Sequence, residues 1–330
     1  MKIVKILMNS FLILLIIVFA ISCNSNEKKE LNAEVLKLGN KVPPIKFNAE
    51  NAFKHIQKQL SFGPRVPNSQ SAENCKIYLA NELSKFTKYV EIQSFNILIN
   101  GENLKLNNII AKFNPNSKKR IILCAHWDTR PWADEDPEPN NHTKPIPGAN
   151  DGASGVGILL ELAAIITQLN LPYGVDIVLF DGEDYGTSEN LENYSLGSQY
   201  FASSLQNPEI YKYGILLDLV GDKEAIFKKE KFSILYAEDF TNLVWERALT
   251  KNINNFRDEH STEIIDDHLP LNKVGIKTIN IIDAELVGQQ SLNPRRKYWH
   301  TLKDDISNIS TETLQNVGNL LVDVLYNLKF

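Results

Sequence analysis

The sequence predicts an α/β protein with a largely parallel central β-sheet, and three observations lead to this fold class. Apolar runs bounded by turn residues alternate along the chain with segments of helical periodicity, as expected of strand–helix–strand units. Several of these runs are apolar at successive positions, which is typical of strands buried on both faces of a sheet. Hydrophobic residues make up 43% of the 330 positions and charged residues 23%, so the chain can form one sizeable core.

The composition excludes several other classes of protein. With 16 Gly and 14 Pro residues, the chain is neither collagen-like nor of low complexity. Its 35 basic and 40 acidic residues give a net charge of -5, so we expect no basic face and no nucleic-acid partner. Three cysteines are too few for a disulfide framework. Cys75 and Cys124 either pair in an exported protein or remain buried free thiols.

The N-terminal residues resemble an export signal. Lys2 and Lys5 precede an apolar segment at 11–21, which is shorter than the roughly 20 apolar residues of a spanning helix. We therefore expect a signal peptide at 1–22. The residues around Cys23 resemble the lipobox of bacterial lipoproteins, which implies that Cys23 carries a lipid; cleavage beside an incidental cysteine is the alternative. The expected location is a periplasm-facing lipoprotein of the inner or outer membrane, attached through this lipid only.

The remaining elements follow in chain order. The polar segment 23–47 predicts a tether, and one domain without internal repeats follows at 48–330. Helical periodicity predicts helices at Asn48–Leu60, Gln70–Phe86, Ala153–Leu169, Ser198–Leu205, Asp239–Lys251 and Ser310–Leu328. Apolar runs predict strands at Asn108–Phe113, Arg120–Ala125, Val175–Phe180, Gly214–Val220 and Ile276–Ile282. In such sheets, ligands bind beyond the carboxyl ends of the strands.

Ionisable residues follow several of the predicted strands. The predicted strand at 120–125 leads into His126, the strand at 175–180 is followed by Glu183 and Asp184, and Asp218 ends the apolar run GILLD at 214–218. Divalent cations need several convergent carboxylate or imidazole ligands, so these strand ends predict a metal site. Asp151 lies in a Gly-rich loop just before a helix, where it is either a helix cap or, if the loop lies opposite His126, a further ligand.

The adjacent acids Glu183 and Asp184 suggest a division of roles. In an extended segment, neighbouring side chains point in opposite directions. One carboxylate can therefore bind a cation while the other acts as a general base; a solvated acidic loop is the alternative. Farther along the chain, His300 is a ligand candidate, and Trp299 is a candidate wall of a pocket.

Taken together, these residues resemble the zinc-dependent aminopeptidase superfamily, and most closely its glutaminyl-peptide cyclotransferase branch. The resemblance runs from about residue 48 to the C-terminus. The matching stretches are AHWDTRPWAD at 125–134, PIPGANDGASGVG at 145–157, LFDGED at 179–184, LLDLVGD at 216–222, DDHLP at 266–270 and YWHT at 298–301. The resemblance implies a three-layer fold, with helices on both faces of a twisted, mostly parallel mixed sheet.

The resemblance also implies the ligand set. By this resemblance Asp151, Asp184 and His300 bind one zinc ion, and Glu183 is the catalytic acid and base. Three protein ligands leave one coordination position open for substrate. Position 184 departs from the animal cyclases, which have Glu there, so the strand end is expected to lie nearer the metal.

Further positions are implied to surround this centre. Asp218 and Asp266 match two acids that form a hydrogen-bonded network beside the base, and Trp299 matches the aromatic residue of the glutamine pocket. His126 is assigned either to this network or to a second metal site. Asn280 stands where animal cyclases have a histidine, which leaves its role open.

The activity implied by this resemblance is the conversion of an N-terminal glutamine of peptides or proteins to pyroglutamate, with release of ammonia. The nearest alternative is a two-zinc aminopeptidase, because His126 and Asp218 match the second-metal positions of that family. The motif at 266–270, together with Trp299 directly before His300, favours the cyclase and one zinc ion. A binding lipoprotein without activity is a third interpretation, and we expect a monomer.

Overall fold

The computed structural model describes residues 36–99 and 101–329, so the signal peptide, Cys23 and most of the tether lie outside the described residues. The strands are β1 Lys37–Leu38, β2 Val90–Ile99, β3 Glu102–Phe113, β4 Arg120–His126, β5 Gly174–Phe180, β6 Tyr211–Asp218, β7 Phe227–Lys229, β8 Phe256–His260, β9 Lys277–Ile282 and β10 Leu328–Lys329. The α-helices are α1 Ala49–Leu60, α2 Gln70–Ser84, α3 Ala153–Ile166, α4 Leu196–Ser204, α5 Lys231–Thr250, α6 His268–Lys273 and α7 Thr311–Asn327.

Six strands form the central sheet in the order β2-β3-β5-β4-β6-β9. The four strands β5, β4, β6 and β9 are parallel, whereas β2 and β3 form an antiparallel hairpin at one side. The predicted mostly parallel mixed sheet is therefore confirmed. In the register of this sheet His126 pairs with Phe180, so the carboxyl ends of β4 and β5 lie at the same level.

Helices cover both faces of the sheet, as predicted. On one face α4 and α6 pack on the apolar cluster that contains Cys124 and Val178. On the other face α3 packs against β4 and β6, and α1 and α7 cover it from outside. At Gly155 an added Cβ atom would lie 2.3 Å from the carbonyl oxygen of Leu217, so only glycine allows α3 to approach β6 this closely.

Several elements were not predicted, among them β1, β7, β8, β10 and α6, and two further differences have a clear cause. The strand β2 was not predicted, because its apolar residues alternate with polar ones at the sheet edge and do not form a continuous run. Helix α5 begins at Lys231, eight residues before the predicted start at Asp239. Its first turn is capped by Glu230, and the helix is kinked at Ala237, which interrupts the helical pattern of the sequence.

The folded domain begins before the predicted boundary at Asn48. Strand β1 pairs with β10, and the side chain of Asn327 binds the backbone of Lys41. Residues 37–41 of the predicted tether are thus held on the domain. Both Cys75 and Cys124 are buried free thiols, so they do not pair with each other. Within 36–99 and 101–329, no helix combines the length and hydrophobicity needed to cross a membrane.

Candidate metal centre and active site

The candidate site lies at the carboxyl ends of three neighbouring parallel strands. Strand β4 ends at His126, β6 ends at Asp218, and the segment after β5 contains Glu183 and Asp184. These strands are adjacent in the order β5-β4-β6, so their terminal side chains meet at one edge of the sheet. The loop before α3 brings Asp151 to the same edge, 3.1 Å from His126.

Three of the predicted ligands form one buried cluster. One donor atom each from Asp151, Asp184 and His300 lies within 4.8 Å of the others. The His300 Nε2 atom is 3.2 Å from Asp184 Oδ1 and 3.7 Å from Asp151 Oδ2. All three side chains are nearly inaccessible to solvent. The structure therefore brings together the ligand set that the sequence proposed, although the three residues are far apart in the chain.

A second cluster shares Asp151 with the first. It consists of His126, Asp151 and Asp218, whose donor atoms also lie within 4.8 Å of one another. The His126 Nε2 atom is 3.1 Å from Asp151 Oδ1 and 3.3 Å from Asp218 Oδ1. Burial disfavours the charged imidazole, but the carboxylates of Asp128, Asp151 and Asp218 outweigh this effect and raise the pKa of His126 well above its usual value. His126 thus lies in an acidic network that has the geometry of a second metal site.

Both clusters suit a zinc ion by the chemistry of their donors. Imidazole nitrogens and carboxylate oxygens are zinc ligands, and three protein ligands leave a position for substrate. The Oδ2 atom of Asp184 is buried and has no hydrogen-bond partner within the described residues. Such an unpaired carboxylate oxygen is costly unless it binds a cation. The donors of the first cluster therefore fit a zinc ion better than they fit a site without metal.

Two aspartates that the sequence analysis did not single out hold the ligand-bearing loops in place. The carboxylate of Asp128 accepts hydrogen bonds from the backbone nitrogens of Glu183, at 3.1 Å, and Asp184, at 3.2 Å. The carboxylate of Asp304 accepts hydrogen bonds from the backbone nitrogens of Asn150, at 2.9 Å, and Asp151, at 3.1 Å. Each carboxylate therefore fixes the main chain at a proposed ligand. Their sequence signal was weak: Asp128 lies within the matching stretch 125–134, and Asp304 follows the stretch 298–301.

Glu183 lies beside these donors without belonging to either cluster. It is largely buried, and the Ser195 hydroxyl donates a hydrogen bond to its Oε1 atom at 3.4 Å. Burial and, after it, the negative charge of Asp266 raise the pKa of Glu183 well above its usual value, with His126 opposing the shift. A carboxylate with a raised pKa can both accept and return a proton near neutral pH.

The pKa of Asp184 is shifted in the opposite direction from that of its neighbour Glu183. Burial would raise the pKa of the Asp184 carboxyl, but the positive charges of His300 and Arg130 hold it below the usual value. Burial lowers the pKa of His300, and the carboxylates of Asp184 and Asp134 outweigh this and raise it to about 9. These two adjacent carboxyls thus have opposite pKa shifts, as expected for a ligand beside a general base.

Asp266 and Asn280 form a buried pair next to this site. The Asn280 side-chain amide donates a hydrogen bond to Asp266 Oδ2 at 2.6 Å, and burial followed by the charge of Asp218 raises the pKa of Asp266 to about 7. Asn280 therefore orients this acid, which gives a role to a position that the sequence left open. Trp299 stacks on His300 with ring centroids 3.4 Å apart. The aromatic ring thus lies directly against a proposed ligand.

A surface groove of about 670 Å³ lies elsewhere on the domain, between α2 and the β2–β3 hairpin. Trp127 and Asp181 contribute to its wall, but neither Glu183 nor any of the five clustered donors lines it. We therefore assign the chemistry to the buried clusters and not to this groove.

Comparison with known proteins assigns the family. The model of peptidase family M28 matches residues 108–325, which include all of the clustered donors. The chain belongs to peptidase family M28. Members of one family share a fold and differ in their reactions, so the reaction has to be argued from the site.

Two solved bacterial structures resemble this M28 chain closely. A glutaminyl cyclase of Bacteroides thetaiotaomicron, bound to N-acetylhistamine, is 42% identical; the match covers 86% of this chain and 99% of that chain, with a TM-score of 0.81. A Zn-dependent exopeptidase of Parabacteroides distasonis is 40% identical, with the same shares covered and a TM-score of 0.80.

Curated relatives are more distant from this M28 chain. A glutaminyl-peptide cyclotransferase of Bothrops jararaca is 25% identical over 65% of this chain. The match spans 63% of that protein's length, and only 44% of the length of an aminopeptidase of Bacillus subtilis. The chain thus matches less than two thirds of these curated relatives, whereas it matches the bacterial structures almost completely.

Proposed function

We propose that this protein is a zinc-dependent glutaminyl cyclase, which converts an N-terminal glutamine to pyroglutamate and releases ammonia. The observation that carries the proposal is the division of roles at the end of β5. Asp184 belongs to a three-donor cluster, whereas Glu183 remains outside it, buried and with a raised pKa. The 42% identity to a bacterial glutaminyl cyclase over nearly the whole domain supports this choice of reaction.

Zinc would be held by Asp151, Asp184 and His300, where it would supply a Lewis acid for the γ-carboxamide oxygen of the substrate. The substrate's own α-amine attacks the γ-carbonyl carbon, so that a C–N bond forms and a five-membered lactam closes. Glu183 accepts the proton that the amine loses and returns it to the departing nitrogen, which leaves as ammonia. Water is not consumed in this reaction. Trp299 forms a wall of the pocket and keeps the reacting groups close.

Glu183→Gln tests this assignment, because the amide keeps the size of the side chain and removes its basicity. We expect turnover of a Gln-peptide, measured as released ammonia, to fall by about 10²–10⁴-fold. Zinc content is expected to stay at the wild-type level because Glu183 is outside the donor clusters. Near-normal turnover of the variant would refute the assigned role.

A two-zinc aminopeptidase is the second candidate, and the cluster of His126, Asp151 and Asp218 favours it. The two functions are separated by assaying a Gln-peptide and a leucine amide side by side, with zinc measured per chain. We expect cyclisation of the Gln-peptide, no hydrolysis of the amide and one zinc ion. Hydrolysis of the amide with two zinc ions would favour the aminopeptidase instead.

We also propose that the chain is exported and anchored by a lipid on Cys23, on the basis of the N-terminal sequence pattern alone. Radiolabelled palmitate supplied to a bacterial host is expected to label the wild-type protein and not Cys23→Ser. A mature wild-type protein without label would refute the lipid anchor. Under this proposal the catalytic domain acts on peptides outside the cytoplasm, and a membrane is contacted only through the lipid.

A further inference from the structure

A buried arginine near the metal centre forms a bidentate ion pair with a partly exposed aspartate. The Arg130 Nε atom donates to Asp134 Oδ1 at 2.7 Å, and its Nη2 atom donates to Asp134 Oδ2 at 2.6 Å. The Arg130 side chain is 2% exposed and that of Asp134 is 40% exposed. Such a fork-to-fork pair fixes the orientation of both side chains.

The remaining donor of the guanidinium reaches the segment after β5. The Arg130 Nη1 atom donates to Asp184 Oδ1 at 3.1 Å, to the Asp184 carbonyl oxygen at 3.2 Å and to the Gly186 carbonyl oxygen at 3.0 Å. Arg130 therefore holds both the main chain and the carboxylate of Asp184. The Oδ2 atom of that carboxylate stays without a partner among the described residues.

Asp134, the aspartate of this pair, lies beside His300, another proposed ligand. Asp134 Oδ1 lies 3.5 Å from His300 Nδ1, while His300 Nε2 points toward Asp184 and Asp151. A carboxylate beside Nδ1 favours the tautomer with the proton on Nδ1, which leaves the lone pair of Nε2 for a metal. Trp299 stacks on the face of this ring, with the ring centroids 3.4 Å apart.

We propose that the Arg130–Asp134 pair is a clamp that holds two of the three proposed zinc ligands, Asp184 and His300, at a fixed separation and orientation. Arg130 and Asp134 are positioning residues in this proposal, because they act through the ligands. The proposal rests on the metal centre in the proposed function, but it does not depend on the choice between cyclase and aminopeptidase.

A purely structural role would lower the stability of the metal-free protein, whereas a positioning role would mainly lower its zinc affinity. Ion pairs that reach the surface usually contribute little to stability. The Arg130 guanidinium is buried, but in Asp134→Asn it keeps the Asp184 carboxylate as a partner at 3.1 Å, and the amide oxygen at position 134 can still accept one hydrogen bond. Substitution of Asp134 is therefore expected to leave the metal-free fold nearly unchanged while it loosens the ligands. Outer-shell partners of this kind typically change metal affinity by 10–100-fold.

The decisive experiment measures zinc affinity by competition with a chelator, for the purified full domain and its Asp134→Asn variant. We expect the variant to bind zinc about 10–100-fold more weakly, while the melting temperature of the metal-free protein stays within about 2 °C of wild type. Glu135→Gln is the matched control, because it removes the same charge from the next, exposed residue. Its zinc affinity is expected to equal that of wild type.

Two further variants separate positioning from charge. Asp134→Glu keeps the carboxylate and is expected to recover part of the affinity lost in Asp134→Asn. Arg130→Lys keeps the positive charge without the planar fork, and we expect weaker zinc binding again. Replacing zinc with Co²⁺ adds a spectroscopic readout, since the visible absorption of Co²⁺ is expected to change in Asp134→Asn and not in Glu135→Gln.

Three outcomes would overturn the clamp. Equal zinc affinity of Asp134→Asn and wild type would refute it while leaving the proposed metal centre intact. If Glu135→Gln lost as much zinc affinity as Asp134→Asn, the effect would come from the net charge and not from the position of Asp134. A wild-type protein that binds no zinc would refute the proposed metal centre, and the clamp with it.

Discussion

Replacement of Asp128 by Asn is predicted to lower both the stability and the activity of the protein. Its two carboxylate oxygens accept hydrogen bonds from the backbone nitrogens of Glu183 and Asp184, at 3.1 and 3.2 Å. The side chain is buried, so no water replaces a lost partner. In Asp128→Asn, one oxygen becomes an amide nitrogen that donates and cannot accept. One of the two backbone N–H groups is then left without an acceptor.

The size of the effect follows from this loss. A hydrogen bond to a charged group contributes about 1.5–3 kcal/mol, and a buried unpaired donor carries a cost of similar size. At roughly 2 °C per kcal/mol for a large domain, we expect the melting temperature of Asp128→Asn to fall by about 3–6 °C. The main chain at Glu183 and Asp184 also shifts, and a displacement of about 1 Å at a reacting group can reduce turnover about 10²-fold.

Asp136→Asn is the matched control for this prediction. Asp136 is also buried, and its two oxygens accept hydrogen bonds from the backbone nitrogens of Glu138 and Leu302, both at 3.0 Å. The control is expected to lose a similar amount of stability, measured by thermal unfolding, with a change in turnover below about threefold. If Asp128→Asn kept wild-type turnover, or if both variants lost it equally, the positioning role of Asp128 would be wrong.

Three more predictions address other parts of the site and the core. In Gly152→Ala the added Cβ atom would lie 2.3 Å from the His126 carbonyl oxygen and 2.7 Å from its Nε2 atom, so we expect the purified variant to lose zinc; normal zinc content by metal analysis would contradict this. Burial raises the pKa of Asp266 to about 7, so the folded metal-free protein binds this proton more tightly than the unfolded chain, and the contribution of Asp266 to stability falls as the pH rises from about 4 to 7. Asp266→Asn removes this loss, so its stability relative to wild type is expected to increase over that range in urea unfolding; a constant difference would count against the shift. Burial raises the pKa of Cys75 to about 12 and that of Cys124 well above its usual value, so neither thiol is expected to react with a maleimide at pH 8 in the native protein. Peptide mass spectrometry before and after denaturation checks this, and labelling of either thiol in the native state would show that it is accessible.

Much of the fold was predictable because its central strands are buried on both faces. The segments β4 and β5 read as continuous apolar runs, since every residue in them is buried. Strand β2 escaped prediction because it lies at the edge of the sheet and exposes alternate residues. The start of α5 escaped because the kink at Ala237 and the cap by Glu230 depend on contacts with other parts of the domain.

The proposed metal ligands were predictable from the sequence, whereas the residues that hold them in place were not. Carboxylate and imidazole side chains are typical metal ligands. The strand ends together with the family motifs indicated Asp151, Asp184 and His300. The contributions of Asp128 and Asp304 consist of hydrogen bonds to backbone atoms of distant residues. Arg130 likewise binds a ligand that is remote in the chain. Nearly every residue carries the same backbone donor and acceptor, so the sequence does not show which backbone groups such a side chain binds.

The sequence by itself determined the order of strands and helices, the family motifs and the types of side chain available for chemistry. Periodicity is a local property, set by residues two to four positions apart, and it can therefore be read along the chain. Only the tertiary structure decided which side chains form the two donor clusters and that Glu183 stays outside them. It also decided that the Arg130–Asp134 pair contacts Asp184 and His300. Those outcomes depend on the register of parallel strands and on hydrogen bonds between distant segments, which exist only after the sheet has assembled.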